Sequence, residues 1–361
     1  EDFELQPILA ALLANNFLEA TEGMPKGQEF MIFLPDGRGL ALPVGRFRHM
    51  LTTLGELLEY KFTDGPIKVS ALDAALLEND LDIELDVPEE IEKIAKQIQS
   101  LENVTPVVVP NTLQAILRDY QLHGFYWMQF LTRHQFSGIL ADDMGLGKTL
   151  QTLAHILTEI TSGRSKGLPH LVLAPTSVVV NWQREAAKFA PSLKVLILQG
   201  SKRHQHFSEI SRYDLVLTSY ALIHRDLDQH LLQHYHLIAL DEAQHIKNPG
   251  AQVSTAVRQL KSNHRLCLSG TPIENNLGEL WSLFAFLMPG LLGERSAFTE
   301  NYRTPIEKQN DRNKRDSLNR KVGPLILRRT KHDVAKELPP KTEILHTITL
   351  SSEQKDLYET V

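Results

Sequence analysis

The sequence is poor in cysteine and has no long apolar run. Its single cysteine, Cys267, has no partner for a disulfide within the chain, and its apolar surroundings predict a buried, unreactive thiol. No apolar stretch approaches the roughly 20 residues that a membrane helix needs, and the chain does not open on a basic segment followed by an apolar block. A disulfide framework, a membrane span and a secretion signal are therefore not expected.

Strong net charge is also missing, but charge is unevenly distributed. The formal net charge is −6 over 361 residues, which by itself argues weakly against a nucleic-acid partner. Ten acidic residues and two lysines lie between Asp73 and Glu102, whereas ten basic and three acidic residues lie between Arg303 and Lys331. The basic segment permits a phosphate-binding face, and two solvated faces unrelated to a ligand remain the alternative. The lack of a dense basic localisation cluster favours a bacterial, nucleoid-associated cytoplasmic setting; a eukaryotic source would imply the nucleus.

Complete sets of metal ligands and hydrolase nucleophile motifs are absent as well. His230 and His234 are four residues apart, and His204 and His206 flank one glutamine. No cysteine or carboxylate set completes either pair, so we expect no structural metal there. No glycine-flanked serine marks the nucleophile of a serine hydrolase.

The pattern of apolar runs divides the chain into four predicted parts. Residues 1–105 mix short apolar runs with turn signals, which indicates a small accessory α+β domain. Residues 106–288 alternate short branched runs with amphipathic helices, which is typical of a mostly parallel α/β sheet with helices on both faces. Residues 289–345 predict a basic helical extension and linker, and 346–361 the start of a further lobe. The predicted strands are Gly138–Ala141, Leu171–Ala174, Val195–Leu198, Leu215–Thr218, Leu237–Leu240 and Leu266–Leu268.

A glycine-bearing turn joins the first predicted strand to a predicted helix, in the run Gly138-Ile-Leu-Ala-Asp-Asp-Met-Gly-Leu-Gly-Lys-Thr149. Its later glycines allow positive φ angles, so that backbone N–H groups turn toward an anion at the helix N-terminus. Lys148 would reach the β- and γ-phosphates of a nucleotide, and the Thr149 hydroxyl would bind Mg²⁺. The strict pattern G-x-x-x-x-G-K-[ST] is not met, because Asp142 replaces its first glycine.

A pair of adjacent carboxylates ends another predicted strand, Leu237-Ile-Ala-Leu-Asp-Glu242. Ligands of such sheets bind at the carboxyl ends of the strands. Asp241 is placed to hold hydrated Mg²⁺, and Glu242 to orient and deprotonate the attacking water. An Asp-Glu pair alone is more often a charge pair at a helix N-terminus. Together with the lysine loop it predicts NTP hydrolysis, with Lys148, Asp241 and Glu242 as catalytic residues.

These segments resemble the Swi/Snf-type ATPases of helicase superfamily two, over about residues 117–341. Leu117-Arg-Asp-Tyr-Gln121 is similar to the family's adenine-side Q motif, and Asp142-Asp-Met-Gly-Leu-Gly-Lys-Thr149 to its variant phosphate loop. Asp241-Glu-Ala-Gln-His-Ile-Lys-Asn248 is similar to its acidic box, which differs from the Asp-Glu-Ala-Asp of RNA helicases. The resemblance implies a RecA-like first lobe with a P-loop. The implied cofactor-binding residues are Gln121, Asp143, Met144, Gly145, Leu146, Gly147, Lys148 and Thr149, and the implied metal ligands are Thr149 and Asp241.

Three further segments resemble the family's DNA-contacting and coupling motifs. They are Leu173-Ala-Pro-Thr-Ser-Val-Val-Val-Asn-Trp182, Leu217-Thr-Ser-Tyr220 and Leu268-Ser-Gly-Thr-Pro-Ile-Glu-Asn-Asn276. Hydroxyls and free N–H groups suit phosphate oxygens, although loop and cap chemistry is the alternative for the serines and threonines. The implied DNA-binding residues are Ser177, Asn181, Trp182, Thr218, Ser219, Tyr220 and Asn275. For Trp182 the apolar helical pattern around it predicts a core position instead. The implied coupling residues, which would link the nucleotide pocket to the DNA track, are Ser269, Gly270 and Thr271.

The resemblance implies a DNA-dependent ATPase that uses ATP and Mg²⁺, acts on double-stranded DNA as a monomer, and remodels a DNA-bound protein target. Pro324-Leu-Ile-Leu-Arg-Arg-Thr330 resembles the family stretch that leads toward the second lobe. The family's transition-state arginines lie in that lobe, and such arginines contribute about 10³- to 10⁵-fold in rate, so we expect slow turnover from this chain alone. Two alternatives stay open: a superfamily-two RNA helicase, disfavoured by the acidic box, and a nucleotide-gated DNA-binding scaffold, against which Glu242 argues.

Overall fold

The computed structural model describes residues 8, 11–12, 16–48 apart from positions 26, 35–36 and 46, then 106–270 and 276–334. The chain forms two compact units, Glu1–Arg329 and Thr330–Val361. The acidic segment Asp73–Glu102 lies outside the described residues. The four-part division at residues 105, 288 and 345 stays a prediction.

Near the N-terminus, a short helix packs on a β-hairpin. The strands β1 (Glu29–Phe33) and β2 (Gly39–Pro43) pair antiparallel. Phe17 of helix α1 (Phe17–Ala20) is buried and meets Phe30 edge to face, with ring centroids 5.2 Å apart. This apolar contact fixes the helix on the hairpin.

Among the described residues, the sheet of the first unit has seven strands in the order β5-β6-β4-β7-β8-β3-β9, and every pairing is parallel. The strands are β3 (Gly138–Leu140), β4 (His170–Ala174), β5 (Val195–Ile197), β6 (Leu215–Ser219), β7 (Tyr235–Asp241), β8 (Ser262–Leu268) and β9 (Ile326–Leu327). Helices flank the sheet, which confirms the predicted α/β architecture with a parallel sheet. The first six strands match the predicted runs to within a few residues, whereas β9 was not predicted.

The helices follow the alternation expected of a parallel sheet. They are α2 (Asp119–Arg133), α3 (Lys148–Thr161), α4 (Thr176–Phe189), α5 (Tyr220–Ile223), α6 (Leu227–Leu231), α7 (Gln252–Gln259), α8 (Leu277–Leu287), α9 (Arg295–Phe298), α10 (Thr304–Gln309), α11 (Arg312–Val322) and α12 (Lys331–Val334). Helical turns of 3₁₀ type lie at Ser201–Arg212, Ala243–Ile246 and Gly323–Leu325, and a π-helical turn lies at Thr299–Arg303.

Burial explains why these residues form these elements. All of β7 is buried, as expected for a central strand covered on both faces. On α3, Leu153, Ile156 and Leu157 are at most 2% exposed and face the core. Cys267 is buried in β8, and burial raises the pKa of its thiol above the ordinary value.

Strand register sets the position of the site. Leu268 of β8 is the partner of Leu140 on one side and of Asp241 on the other. Neighbouring strands lie about 4.8 Å apart, so the ends of β3 and β7 are level and about 10 Å apart. The turn after β3 and the carboxylates after β7 therefore meet at one edge of the sheet.

Four histidines collect around a buried glutamate near the amino ends of the strands. His170, His236 and His264 lie early in β4, β7 and β8, and successive rings are 5.1 and 5.0 Å apart. His236 Nε2 lies 3.0 Å from Glu159, whose side chain is fully buried. Burial lowers the pKa of His155, on the neighbouring α3, to about 4. Burial likewise lowers the pKa values of His170 and His264, so these two rings and that of His155 are favoured as neutral groups in the folded state.

Among the described residues, no helix combines the length and apolar character of a membrane span. In the same part of the chain, no group of three or more His, Cys, Asp or Glu side chains has an arrangement that could hold a metal ion.

Candidate nucleotide site

The turn between β3 and α3 has the backbone of an anion-binding loop. Gly145 and Gly147 adopt φ angles of +86° and +77°, a region that side chains with a Cβ rarely occupy. A Cβ on Gly147 would also overlap the side-chain amide of Gln121. Met144 and Gly145 are exposed at the tip, and α3 begins at Lys148. The predicted loop and helix N-terminus are therefore present.

The side chain of Lys148 is held over this loop by two backbone carbonyls of the loop. Its Nζ donates to the carbonyl of Asp142 at 2.6 Å and to that of Asp143 at 3.2 Å. Burial lowers the pKa of the amine, while the nearby carboxylates of Glu242, Asp142, Asp241 and Asp143 act in the opposite direction. The structure thus brings Lys148 together with the carboxylate pair at the end of β7, and a phosphate bound there would replace the loop carbonyls as its partner.

Gln121 braces the loop from α2. Its Oε1 accepts from the backbone N–H of Arg118 at 3.0 Å, and its Nε2 donates to the carbonyl of Leu146 at 3.2 Å. The first bond caps the start of α2, and the second ties that helix to the phosphate loop. The residue that resembles a Q-motif glutamine therefore lies beside the loop, as the resemblance implies.

Asp241 is enclosed by three donors. Its Oδ2 accepts from the indole Nε1 of Trp182 at 2.8 Å, and its Oδ1 accepts from the backbone N–H of Glu242 at 3.0 Å. Its main-chain carbonyl accepts from the Tyr220 hydroxyl at 2.8 Å. Burial raises the pKa of this carboxyl, and the hydrogen bond from Trp182 works against that rise. The side chain is thus fixed in one orientation before any ligand binds.

Glu242 occupies a strained backbone position. Its φ of 51° and ψ of 57° lie in the left-handed region, which costs a residue other than glycine about 1–2 kcal/mol. Such strain recurs at functional sites. Its Oε2 accepts from Gln244 at 2.9 Å, and the Oε1 of Gln244 accepts from the Ser269 hydroxyl at 3.1 Å. Ser269 follows β8, so Gln244 links the proposed base to the predicted coupling motif.

The bridging residue Gln244 was not singled out from the sequence. The only available signal was its place in the segment similar to the family's acidic box. Gly270 lies close to Met144 of the phosphate loop, where a Cβ would come within 3.2 Å of the Met144 side chain. The predicted coupling residue Thr271 and the predicted DNA contact Asn275 lie outside the described residues.

The other predicted DNA contacts fall into two groups. Ser177 and Asn181 are exposed on α4, where Asn181 donates to Glu185 at 3.0 Å. Thr218, Ser219 and Tyr220 are at most 5% exposed, and the Thr218 hydroxyl donates to the carbonyl of Leu198. Assignment as a DNA contact therefore stays a prediction for the first pair, whereas the buried side chains are not presented to a ligand in this structure.

Trp182 requires a correction. The family resemblance implied a DNA contact, whereas its apolar helical pattern predicted a core position, and its side chain is in fact fully buried with its N–H bonded to Asp241. An indole enclosed in the core cannot stack on or contact a DNA strand. Its position instead connects α4, which carries the exposed Ser177 and Asn181, to the carboxylate of the nucleotide site.

The residues gathered here suit a nucleotide with a divalent cation. The loop supplies N–H groups, Lys148 a cation, and Thr149 and Asp241 the oxygen donors that Mg²⁺ prefers. Thr149 is half-buried at the second position of α3. The parallel sheet with this loop at one edge defines the molecule as a nucleotide-binding lobe of the P-loop class.

The comparisons with known proteins place the lobe in a family. Residues 120–361 match the family model described as the SNF2-related domain. The chain is 43% identical over 282 residues to YwqA of Bacillus subtilis, which carries a provisional name as an ATP-dependent helicase/translocase. It is 38% identical over 280 residues to the TATA-binding protein-associated factor mot1 of Schizosaccharomyces pombe. The chain belongs to the SNF2 family of helicase-like ATPases.

A solved structure gives the same assignment. The Sulfolobus solfataricus SWI2/SNF2 ATPase core in complex with dsDNA superimposes with a TM-score of 0.61 at 40% identity, covering 71% of this chain and 53% of that one. The matches to YwqA and mot1 cover 77% and 71% of this chain, but only 30% and 14% of those proteins. The chain therefore corresponds to about half of the ATPase core and to a small share of the longer relatives.

Proposed function

We propose that this protein is a DNA-dependent ATPase that couples hydrolysis of ATP with Mg²⁺ to movement along duplex DNA, and so remodels protein–DNA complexes. The observation that carries the proposal is the meeting of Lys148, Asp241 and Glu242 at one sheet edge in a member of the SNF2 family. A bacterial cytoplasmic setting and a monomeric state are part of the same proposal.

Each group has a role that follows from its chemistry. Lys148 neutralises charge on the β- and γ-phosphates, while Thr149 and Asp241 are the residues that would hold the cation. Glu242 orients the attacking water and takes its proton. The hydrogen bond from Gln244 helps to hold the Glu242 carboxylate in place, so that less ordering of the base is needed during the reaction.

Two observations favour duplex DNA as the partner: the position of exposed polar residues near the nucleotide site, and the names of similar proteins. Ser177 and Asn181 are exposed on the helix whose Trp182 bonds Asp241, which offers a short route between a DNA backbone and the nucleotide site. The similar solved structure from Sulfolobus solfataricus is a SWI2/SNF2 ATPase core in complex with dsDNA, and mot1 is named for its association with the TATA-binding protein. A DNA-bound protein is accordingly the proposed target.

The test is the rate of ATP hydrolysis by the full-length protein as a function of DNA length. A translocase is expected to show a rate that rises with duplex length and then levels, with less stimulation by single-stranded DNA and RNA of equal length. Equal stimulation by RNA would favour an RNA helicase. A rate that no nucleic acid alters would refute the proposal.

A variant of Glu242 separates the motor from a nucleotide-gated scaffold. Glu242→Gln keeps the shape and the contact with Gln244 but removes the base, so ATP binding is expected to persist while DNA-stimulated hydrolysis is lost. In Gln244→Glu, the Glu242 carboxylate would face a second carboxylate instead of an amide donor, and the two like charges would repel. Unchanged hydrolysis in Glu242→Gln would exclude Glu242 as the base.

Residues 1–361 alone are expected to bind ATP and to hydrolyse it slowly, even with saturating DNA. The transition-state arginines implied by the family resemblance would be supplied from beyond this chain, and such groups contribute about 10³- to 10⁵-fold. Turnover equal to that of the full-length protein would contradict this part of the proposal.

A further inference from the structure

The chain segment that closes the first unit runs alongside the phosphate loop. Strand β9 pairs with β3, and the pairing continues past both strands: the N–H of Ala141 donates to the carbonyl of Leu327 at 2.7 Å, and that of Asp143 to the carbonyl of Arg329 at 3.0 Å. The leading half of the loop is therefore held by main-chain bonds to residues nearly 190 positions later in the chain.

A buried ion pair reinforces these bonds. Arg329 Nε lies 2.8 Å from Asp142 Oδ1, and its Nη2 lies 2.5 Å from Oδ2. The Asp142 side chain is fully buried, and that of Arg329 is 12% exposed. Two parallel N–H···O bonds of this kind fix orientation as well as distance.

Arg329 also donates two further hydrogen bonds, to Tyr120 and to Gln151. Its Nη1 donates to the carbonyl of Tyr120, its Nη2 also donates to Gln151 at 3.1 Å, and its guanidinium lies 5.5 Å from the centre of the Tyr120 ring. Tyr120 is the neighbour of Gln121, which braces the other half of the loop. The arginine thus joins both supports of the phosphate loop to the end of the first unit.

We propose that Asp142 and Arg329 are a positioning pair that sets the shape of the phosphate loop, and that Asp142 replaces the usual first glycine because Arg329 requires a carboxylate there. Neither residue touches the phosphates in this assignment. ATP affinity then depends on the pairing of residues 326–329 with β3 and the phosphate loop. In sequence, these residues lead directly to Thr330, where the second unit begins. The inference deepens the proposed function, since it concerns the same nucleotide site.

The test begins with Asp142→Gly in the full-length protein, because this change restores the general pattern G-x-x-x-x-G-K-[ST]. If the position served the phosphates, the glycine would leave ATP affinity unchanged or improve it. The positioning pair predicts the opposite, since the variant leaves a buried guanidinium without its carboxylate. The dissociation constant for a fluorescent ATP analogue is expected to rise by about tenfold or more.

A second variant distinguishes positioning from simple loss of stability. In Asp142→Gly/Arg329→Met the unpaired charge is gone, so affinity is expected to recover in part and the two changes to be strongly non-additive. Arg329→Lys keeps the charge but not the paired geometry, and is expected to bind ATP less tightly than wild type while remaining folded. Arg328→Met, at an exposed neighbour, is the matched control and is expected to match wild type.

Two results would overturn the inference: a dissociation constant for Asp142→Gly within twofold of wild type, or additive effects in the double variant. If Asp142→Gly does not fold, Arg329→Lys with wild-type affinity is the refuting result. A wild-type protein that binds ATP but is not stimulated by DNA would refute the proposed function and leave the positioning pair standing.

Discussion

Trp182→Phe removes one hydrogen bond from the nucleotide site and little else. Phenylalanine retains most of the aromatic bulk that fills the core around this fully buried side chain, but it cannot donate to Asp241 Oδ2. The carboxylate then loses a bond of 2.8 Å and keeps the one from the Glu242 backbone, the only other one that it receives within the described part of the chain.

Two effects on Asp241 follow from this loss. Residues that orient a metal-binding carboxylate typically contribute about 10- to 100-fold in metal affinity, so the Mg²⁺ concentration for half-maximal hydrolysis is expected to rise by that factor. The hydrogen bond also lowers the pKa of Asp241 against the effect of burial, so its removal raises the pKa further. Since the carboxylate must be ionised to hold a cation, the acid limb of the pH–activity profile is expected to move to higher pH.

The assay is DNA-stimulated ATP hydrolysis by the full-length protein, titrated with Mg²⁺ at several pH values. Trp281→Phe is the matched control, because that indole also donates a hydrogen bond, to the carbonyl of Gly293 at 3.1 Å, and has no contact with Asp241. A Mg²⁺ dependence and pH profile equal to those of wild type in Trp182→Phe would refute the role assigned to Trp182. A purely structural role would lower the melting temperature without moving either curve.

Other changes give independent checks. Gly147→Ala forces a left-handed alanine against Gln121, and the combined cost of about 2 kcal/mol predicts about 30-fold weaker ATP binding by titration. Gly163→Ala, at a φ of +73° with no atom within 4 Å of its Cβ, is the control that should leave affinity unchanged. Burial lowers the pKa of the fully enclosed His155 to about 4, below the ordinary value of about 6.5. The neutral ring therefore contributes fully to the stability of the fold above pH 6.5. As the pH falls to 4 this contribution decreases by about 3 kcal/mol. Urea unfolding at pH 7.5 and 4.5 measures that loss together with the losses from His170, His230 and His264, whose pKa values burial also lowers, and a stability that rises on acidification would show the sign to be wrong.

The sequence allowed prediction of those features that depend on local pattern. Six parallel strands follow from short branched apolar runs, and the phosphate loop follows from the glycines and lysine between β3 and α3. Strand β9 has only two residues, too few to show a period. β9 forms by pairing with the free edge of β3. Because β3 lies far away in the sequence, the residues around 326 do not reveal this pairing.

The supports of the site depend on long-range contacts. Asp142 and Arg329 are 187 positions apart, and Trp182 and Asp241 are 59 apart. A tryptophan in an amphipathic helix is compatible with the core or with a ligand surface, and only the fold shows that its N–H is used internally. The strained backbone of Glu242 was likewise not predictable, because glutamate has no preference for that conformation.

The position of β9 at the edge of the sheet matters for the design of shorter versions of this lobe. Without residues 326–329, the strand that precedes the phosphate loop would become the border of the sheet, with unpaired N–H and C=O groups and an uncompensated buried aspartate beneath them. Exposed borders of this kind recruit other chains. A shortened protein that ends near residue 288 is therefore expected to aggregate, whereas one that extends through Arg329 should stay soluble and retain the loop in its binding shape.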